Sequence, residues 1–553
     1  KNPGYIPAFK KLKNLYKNQN RFDELIKTVD NFIIQQPKNQ FILIDQIEIY
    51  IWAGNPKWSV LAISFIKSNF DNKNILKSLI SRVLSNGLID DGIKFINYIR
   101  SQNNQPDFYA FELGNYYQIR MAFEKSLESY LILLEFNPDK YNSISSRIMS
   151  FPIEDFIVLK LKSILQQSNV KGSKLLLSDL EFRSANFELS YKILKDNFTD
   201  PAQLLLFAQQ AIDAKAFDTA LIVYTDIIDD EFNSIIKNNA IYGLANALEK
   251  KSIKTDPLLP LSRFFDGNEF FESPYYSIEK TLMPSLWKAI NIYDSLMISN
   301  GNLDATFRLA EIKFKAMNDL DGAFKLYKNV AEKTSNKQNR FSSALNIIDI
   351  FIAKGDTQNA LKQINSFKNN FKNDDQKLIL KIKESQVNFF AGNYETTKDS
   401  LIKILKDLPK NDARYNDLLD IQSIILAFNN DKENYSVFSS AQHLIRQNKR
   451  SQALELLAKH DSLEDEFIKD IFYYQSAYIN ILQNDYVLAI QNLELTSGNT
   501  IFSEMSLILY AEILDYLVKD ISLAIDTYLK FLETYPFSIY YDDIRIRLRE
   551  LAS

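Results

Sequence analysis

Large apolar residues recur three or four places apart along most of the chain, the spacing that gathers them on one face of a helix. Residues 107–138 show the pattern well. Leu113, Gly114 and Tyr117 fall on one predicted helix, and Phe123, Ser126, Tyr130 and Leu133 on a second. A tight turn is expected at residues 120–122, and Pro138 closes the pair. Gly114 and Ser126 are small where the two helices would touch, which lets the backbones approach. Tyr117 and Tyr130 then fill the groove beside the contact.

The pair recurs. Its small position in the second helix is marked at Leu25, Ser59, Gly92, Ser126, Ser190, Ala220, Ala289, Ala323, Ala360, Thr397, Ala453, Ala489 and Ala524. Most steps between markers are about 34 to 37 residues. The steps from Ser126 to Ser190, Ala220 to Ala289 and Thr397 to Ala453 are longer. A degenerate repeat around residues 156–165 accounts for the first. The pair formed by Phe9, Leu12 and Tyr16 with Phe22, Leu25 and Val29 is complete, so little folded structure is expected upstream.

Leu113-Gly114-x2-Tyr117, Ser126-x3-Tyr130 and Pro138 resemble the tetratricopeptide repeat, W-x2-L-G-x2-Y in the first helix and A-x3-F…P in the second, with Ser for Ala and Ala110 in place of Trp. The resemblance implies an all-α fold, a right-handed α-solenoid of roughly 13 to 15 helical hairpins. It also implies that stacked first helices line a groove for a peptide or helix, and that the chain is a binding scaffold rather than an enzyme.

Two stretches break the rhythm. Residues 251–284 hold Pro257, Pro260, Pro274 and Pro284 and many rings, between a first helix at residues 236–250 and a second at 285–297. Such a long connection is usually functional or disordered, and this one is too aromatic for disorder. It is expected to fold back on the solenoid. Residues 412–447 read as two helices around residues 429–434. The expected divisions are therefore 1–250, the insertion 251–284, 285–410 and 411–553.

The 46% hydrophobic and 24% charged composition suits a chain with ample apolar surface to bury, and a net charge of −4 gives no field favouring nucleic acid or a membrane surface. With Cys 0, disulfides and thiolate metal sites are excluded. No apolar run approaches the ~20 residues of a membrane span. Tyr535, Pro536, Ser538 and Asp542 resemble the link between helices in bacterial periplasmic repeat proteins, including the Tol-Pal coordinator and the lipoprotein of the barrel-assembly machinery. That resemblance implies a periplasmic or outer-membrane-associated protein. The absence of Met at Lys1 leads us to expect a removed leader or a lipid anchor upstream. A cytoplasmic regulatory repeat protein is the alternative location.

Chemistry is sparse. The chain has His443 and His460 alone, and no phosphate-cradling, dinucleotide or zinc motif. Asp226, Asp229, Asp230 and Glu231, and Asp542 with Asp543, read as solvated helix ends and caps. The letters Asn197-Phe198-Thr199 form a sequon without weight in a bacterial chain. No cofactor or metal is called for. Phe264, Phe265, Phe270, Phe271, Tyr275 and Tyr276 stand outside the helical register. They either pin the insertion to neighbouring helices or form an aromatic patch that anchors a partner protein. The alternative function, a polysaccharide-processing enzyme on an α/α scaffold, requires two carboxylates with perturbed acidity in a deep pocket.

Overall fold

The computed structural model describes residues 5–552 except 199, 231, 255–258, 263, 264, 266, 269, 372, 459–464, 497 and 498. Among the described residues the chain forms 30 α-helices, and its extended backbone pairs only at an antiparallel bridge between Ile253 and Ile278. It divides into two compact units, Lys1–Phe207 and Ala208–Ser553.

The hairpin turn has a repeated form. A residue of positive φ stands two places before the second helix, as at Met121 (58°), Ala185 (60°), Asn318 (54°), Gly355 (77°), Gly392 (75°) and Asn484 (61°). These precede helices Phe123–Phe136, Phe187–Asn197, Leu320–Lys333, Thr357–Asn370, Tyr394–Asp407 and Tyr486–Glu494. The left-handed residue reverses the chain, and the helix that follows turns its fourth residue inward. Ser126, Ser190, Ala323, Ala360, Thr397 and Ala489 occupy that place and are fully buried. Ser59 is an exception. Pro56 delays the helix Lys57–Ser68, so Ser59 is half-buried and Ala62 takes the interior position.

Close approach is visible where it was expected. Ser126 Oγ donates to the Gly114 carbonyl at 2.8 Å, and Tyr130 lies across the glycine. A Cβ on Gly114 would stand 2.3 Å from the Tyr130 ring. Gly243 and Tyr224 repeat the fit, with the same 2.3 Å.

Within unit 1, helices Tyr141–Ile148 and Asp155–Gln167 supply the degenerate repeat. Within unit 2, helices Ser234–Ser252 and Met283–Asn300 flank the insertion, and helix Tyr415–Ala427 is an additional element before the hairpin of Lys432–Arg446 and Arg450–Leu457. Two first helices end in π-helical turns, Ile312–Ala316 and Ile513–Val518.

Candidate functional site

The insertion lies along the first-helix face of unit 2. Its neck is closed by the Ile253–Ile278 bridge and by Lys254 N–H donating to Ser277 O at 2.8 Å. From the neck it runs across successive first helices as a strap without helix among its described residues, with a turn at Asn268 and Phe271, where Phe271 N–H donates to Asn268 O at 2.9 Å. Near one end, Tyr276 N–H donates to Lys315 O at 2.9 Å, on a π-helical turn, and Tyr275 Oη donates to Arg446 O at 2.9 Å. In the middle, Gln386 Nε2 and Arg446 Nη2 both donate to Phe270 O, at 2.6 and 3.3 Å. At the far end, the Glu512 carboxylate accepts from two successive amides, Leu261 N–H at 2.8 Å and Ser262 N–H at 2.9 Å. Burial raises the Glu512 pKa, and these hydrogen bonds oppose the rise.

Three of the candidate rings are part of this attachment. Phe265, Phe270 and Phe271 are 2%, 2% and 4% exposed, so their area is already covered by the chain itself. Phe265 packs on Tyr474 and Tyr478, and Phe270 and Phe271 pack on Phe389, with Phe438 beyond. They pin the strap. Phe264 lies outside the described residues. Tyr275 and Tyr276 are half-buried and line a cleft of about 690 Å³ with Lys315, Arg450 and Tyr478. Burial pushes the Tyr275 hydroxyl pKa up to about 12.

Unit 1 carries a groove on the corresponding face without such a strap across its described residues. A hollow of about 970 Å³ is lined from helices Ile6–Asn18, Gln40–Trp52 and Lys73–Ser85, and by Tyr109 and Glu112. Its floor is a charge lattice. Lys13 Nζ contacts Asp45 and lies 2.6 Å from Glu48, Arg82 reaches Glu48 at 3.2 Å, and Lys77 reaches Glu112 at 2.5 Å. Lys17 Nζ stands over the Trp52 ring, 4.0 Å from its centre, and Lys13 Nζ lies 5.1 Å from the same centre, so the indole is met by two cations.

The remaining candidates have structural places. His443 is buried in the last turn of helix Lys432–Arg446, with Nε2 3.0 Å from Ile352 O. The stack encloses that turn, which the local sequence alone does not reveal. His460, Thr199 and Glu231 lie outside the described residues. Asp229 and Asp230 are exposed at a helix end, and Asp542 and Asp543 are exposed in the first turn of helix Tyr541–Leu551. Ser538 Oγ accepts from Tyr540 N–H at 3.0 Å just before that helix.

Two carboxylates whose pKa burial raises, Asp179 and Glu249, are held by the chain's own donors. Asp179 accepts from Tyr141 Oη and Ser145 Oγ, and Glu249 from Tyr293 Oη and Arg308. No group of three or more His, Cys, Asp or Glu is placed to hold a metal among the described residues. The residues missed in the sequence are Gln386, Arg446 and Glu512. The signal that was there is a polar residue at a first-helix position otherwise reserved for apolar side chains.

No protein-family model matches the chain, and no curated protein matches it. Among solved structures, a tetratricopeptide repeat protein from Parabacteroides merdae is similar at 10% identity and a TM-score of 0.30, over 56% of this chain and 98% of that one. The complex of Naa15 and Naa10 bound to HypK-THB is similar at 11% identity and a TM-score of 0.32, over 96% of this chain and 84% of that one. The class rests on the hairpins themselves: an all-α, tetratricopeptide-like helical-repeat protein. No described helix is long and apolar enough to cross a membrane.

Proposed function

We propose that the chain is a non-catalytic scaffold or adaptor that holds an extended segment of a partner protein against its first-helix face. The observation behind this reading is the strap. A groove of this kind already grips non-helical backbone in unit 2, through a carbonyl bound by Gln386 and Arg446 and two amides bound by Glu512. Peptide recognition uses the same elements, main-chain hydrogen bonds for affinity and ring pockets for register. The groove of unit 1, with Trp52 and Lys17 at its wall, is the site we assign to a partner.

Crosslinking and mass spectrometry of the full chain in extract from its source cells tests this. Partner crosslinks should map to the residues around Trp52, Lys17 and Lys77, and the double variant Trp52→Ala, Lys17→Glu should lose them while keeping its helical content. Partners that persist in that variant would refute the assignment. We extend the reading to the bacterial cell envelope on the strength of the Tyr535-Pro536-x-Ser538 link. Fractionation of those cells checks it, and recovery of the chain in the cytosol would remove the envelope from the proposal.

A further inference from the structure

The hollow of unit 1 spends its negative charge within the chain and leaves positive charge over. Its lining carboxylates, Asp45, Glu48 and Glu112, all have cations of the chain beside them. Asp45 and Glu48 lie on the floor, 7% and 4% exposed, and share the buried ammonium of Lys13. Arg82 adds a second cation to Glu48, and Lys77 meets Glu112. Among the described residues no carboxylate is left for Lys10 or Lys17, which also line the hollow and are exposed.

Exposed lysines are ordinary on a surface, but the setting of these two is not. Helix Ile6–Asn18 has Lys10, Lys11, Lys13 and Lys17 and no Asp or Glu, so no ion pair one turn away can form on it. Lys10, Lys13, Asn14 and Lys17 are spaced i, i+3, i+4 and i+7, which is a single face, and that face lines the hollow. The bias extends beyond the helix. Residues 1–100 hold 15 Lys and Arg against 8 Asp and Glu, in a chain with 65 against 69. The net charge of −4 therefore conceals a basic N-terminal stretch.

Such a wall selects its occupant. A basic segment is repelled, and a neutral one leaves both lysines unused. A nucleic acid carries a charge on every unit, and some would fall against Glu112, whose side chain is 35% exposed. Its bases would also find the Trp52 indole already met by Lys13 and Lys17. A peptide can place carboxylates at the lysines alone. At 1.5 Å per residue, Lys10 and Lys17 are about 10 Å apart along the helix. Carboxylates two or four residues apart on one face of an extended chain are separated by about 7 or 13 Å, and the flexible lysine stems cover the difference. Phe41, 65% exposed, lines the hollow too and offers its ring to an apolar side chain.

We infer that the segment held in the unit 1 hollow is an acidic stretch of a partner protein, with carboxylates two or four residues apart on Lys10 and Lys17 and an apolar side chain beside Phe41. The inference rests on reading that hollow as the partner site and adds what the partner must carry there. The floor does not oppose it, because Lys13 and Arg82 neutralise Asp45 and Glu48.

The test uses the full chain and a labelled peptide of alternating Glu and Ala ending in Phe, acetylated and amidated so that it has no terminal charge. It should bind at least about tenfold more tightly than its counterpart with Gln in place of Glu. Raising the salt from about 0.1 to 1 M shortens the screening length from roughly 10 to 3 Å and should weaken binding at least about fivefold. Lys10→Gln with Lys17→Gln should lose the preference for Glu, and Lys10→Arg with Lys17→Arg should keep it. The comparison of peptides on the unmodified chain decides the matter even where a variant fails to fold. Equal binding of the Glu and Gln peptides overturns the inference. Tighter binding of an oligothymidylate of equal charge also overturns it, in favour of nucleic acid. The crosslinking experiment keeps this apart from the adaptor reading. Partner segments captured at Lys17 and Lys77 without an excess of Asp and Glu would overturn the acidic inference and leave the adaptor standing. Absence of any captured segment would overturn the adaptor assignment, but not a measured preference for Glu over Gln.

Discussion

A side chain in the left-handed region costs roughly 1–2 kcal/mol that glycine avoids. Met121, Ala185, Lys215 and Lys519 sit there at φ of 58°, 60°, 60° and 64°, each just before a second helix. Ala185→Gly should therefore raise stability by about 0.5–1 kcal/mol, the relief being partly offset by glycine's larger unfolded entropy. Urea denaturation measures it, and a loss would show that this turn is not strained. Gly114 is the opposite case. Its open side is filled by the Tyr130 ring, whose hydroxyl donates to Asn115 Oδ1 at 2.8 Å. Gly114→Ala should cost about 1–3 kcal/mol, and a neutral result would mean that the ring moves aside freely. His443 makes a statement about pH. Burial, with a smaller push from Lys449, holds its pKa below 6.5, while its bond to Ile352 O resists. The unfolded chain thus takes up the proton first. The stability contributed by neutral His443 is complete above about pH 6.5 and is lost as the pH falls below that value towards the lower folded pKa. His443→Gln, which can still donate to Ile352 O, should flatten the fall in urea midpoint between about pH 7.5 and 5.5. An unchanged fall would assign the effect to other groups.

Elements show what the sequence could and could not reveal. The hairpins were legible because each carries its own signals locally: an apolar face of helical period, a turn residue, and a small residue such as Ser126 or Ala323 at a fixed place. In the closing helix, Tyr541–Leu551, alternation in the letters is not the pattern of burial. Arg545, Arg547 and Arg549 alternate with Ile546 and Leu548, but a helix buries positions three or four apart. Ile544 is fully buried and Leu548 and Leu551 pack beside it, while Ile546 is 54% exposed. The strap was expected to fold back, yet its register was out of reach. Phe270 meets Gln386, 116 residues away, and Leu261 meets Glu512, 251 away, and no local pattern encodes such a pairing. The closing helix also carries a prediction. Arg547 Nε and Nη2 donate to both oxygens of Asp515 at 2.8 and 2.9 Å, and Asp515 is 1% exposed. Arg547→Ala would leave that carboxylate buried without its cation and should destabilise unit 2 by about 3–5 kcal/mol. Arg547→Lys should recover only part, because a single ammonium does not match the two-pronged contact. Full recovery with Lys, read by thermal unfolding, would reduce the pair to simple charge.

At the scale of the molecule, a stack of hairpins is held by contacts between neighbours, so its ends can open without its middle. Unit 1 is described by that rule. Unit 2 departs from it, because the strap leaves one hairpin and reaches others that are remote in sequence: Asp417 across 149 residues, Arg446 across 176 and Glu512 across 250. Opening the hairpin of Ile501–Glu512 and Ile521–Thr534 must first break the Glu512 attachment or drag the strap with it. The added cost cannot exceed the free energy of detaching the strap, since a detached strap couples nothing. Replacing residues 259–274 by a short Gly/Ser linker, with the Ile253–Ile278 neck kept, should therefore lower hydrogen-exchange protection in that hairpin. The drop should be no larger than the protection of the strap's own amides in the intact chain. Protection in unit 1 should not change, which separates lost coupling from general destabilisation. Were the terminal hairpin equally protected with and without the strap, the strap would be a passenger on a solenoid that needs no cross-brace, and unit 2 would obey the same neighbour-only rule as unit 1.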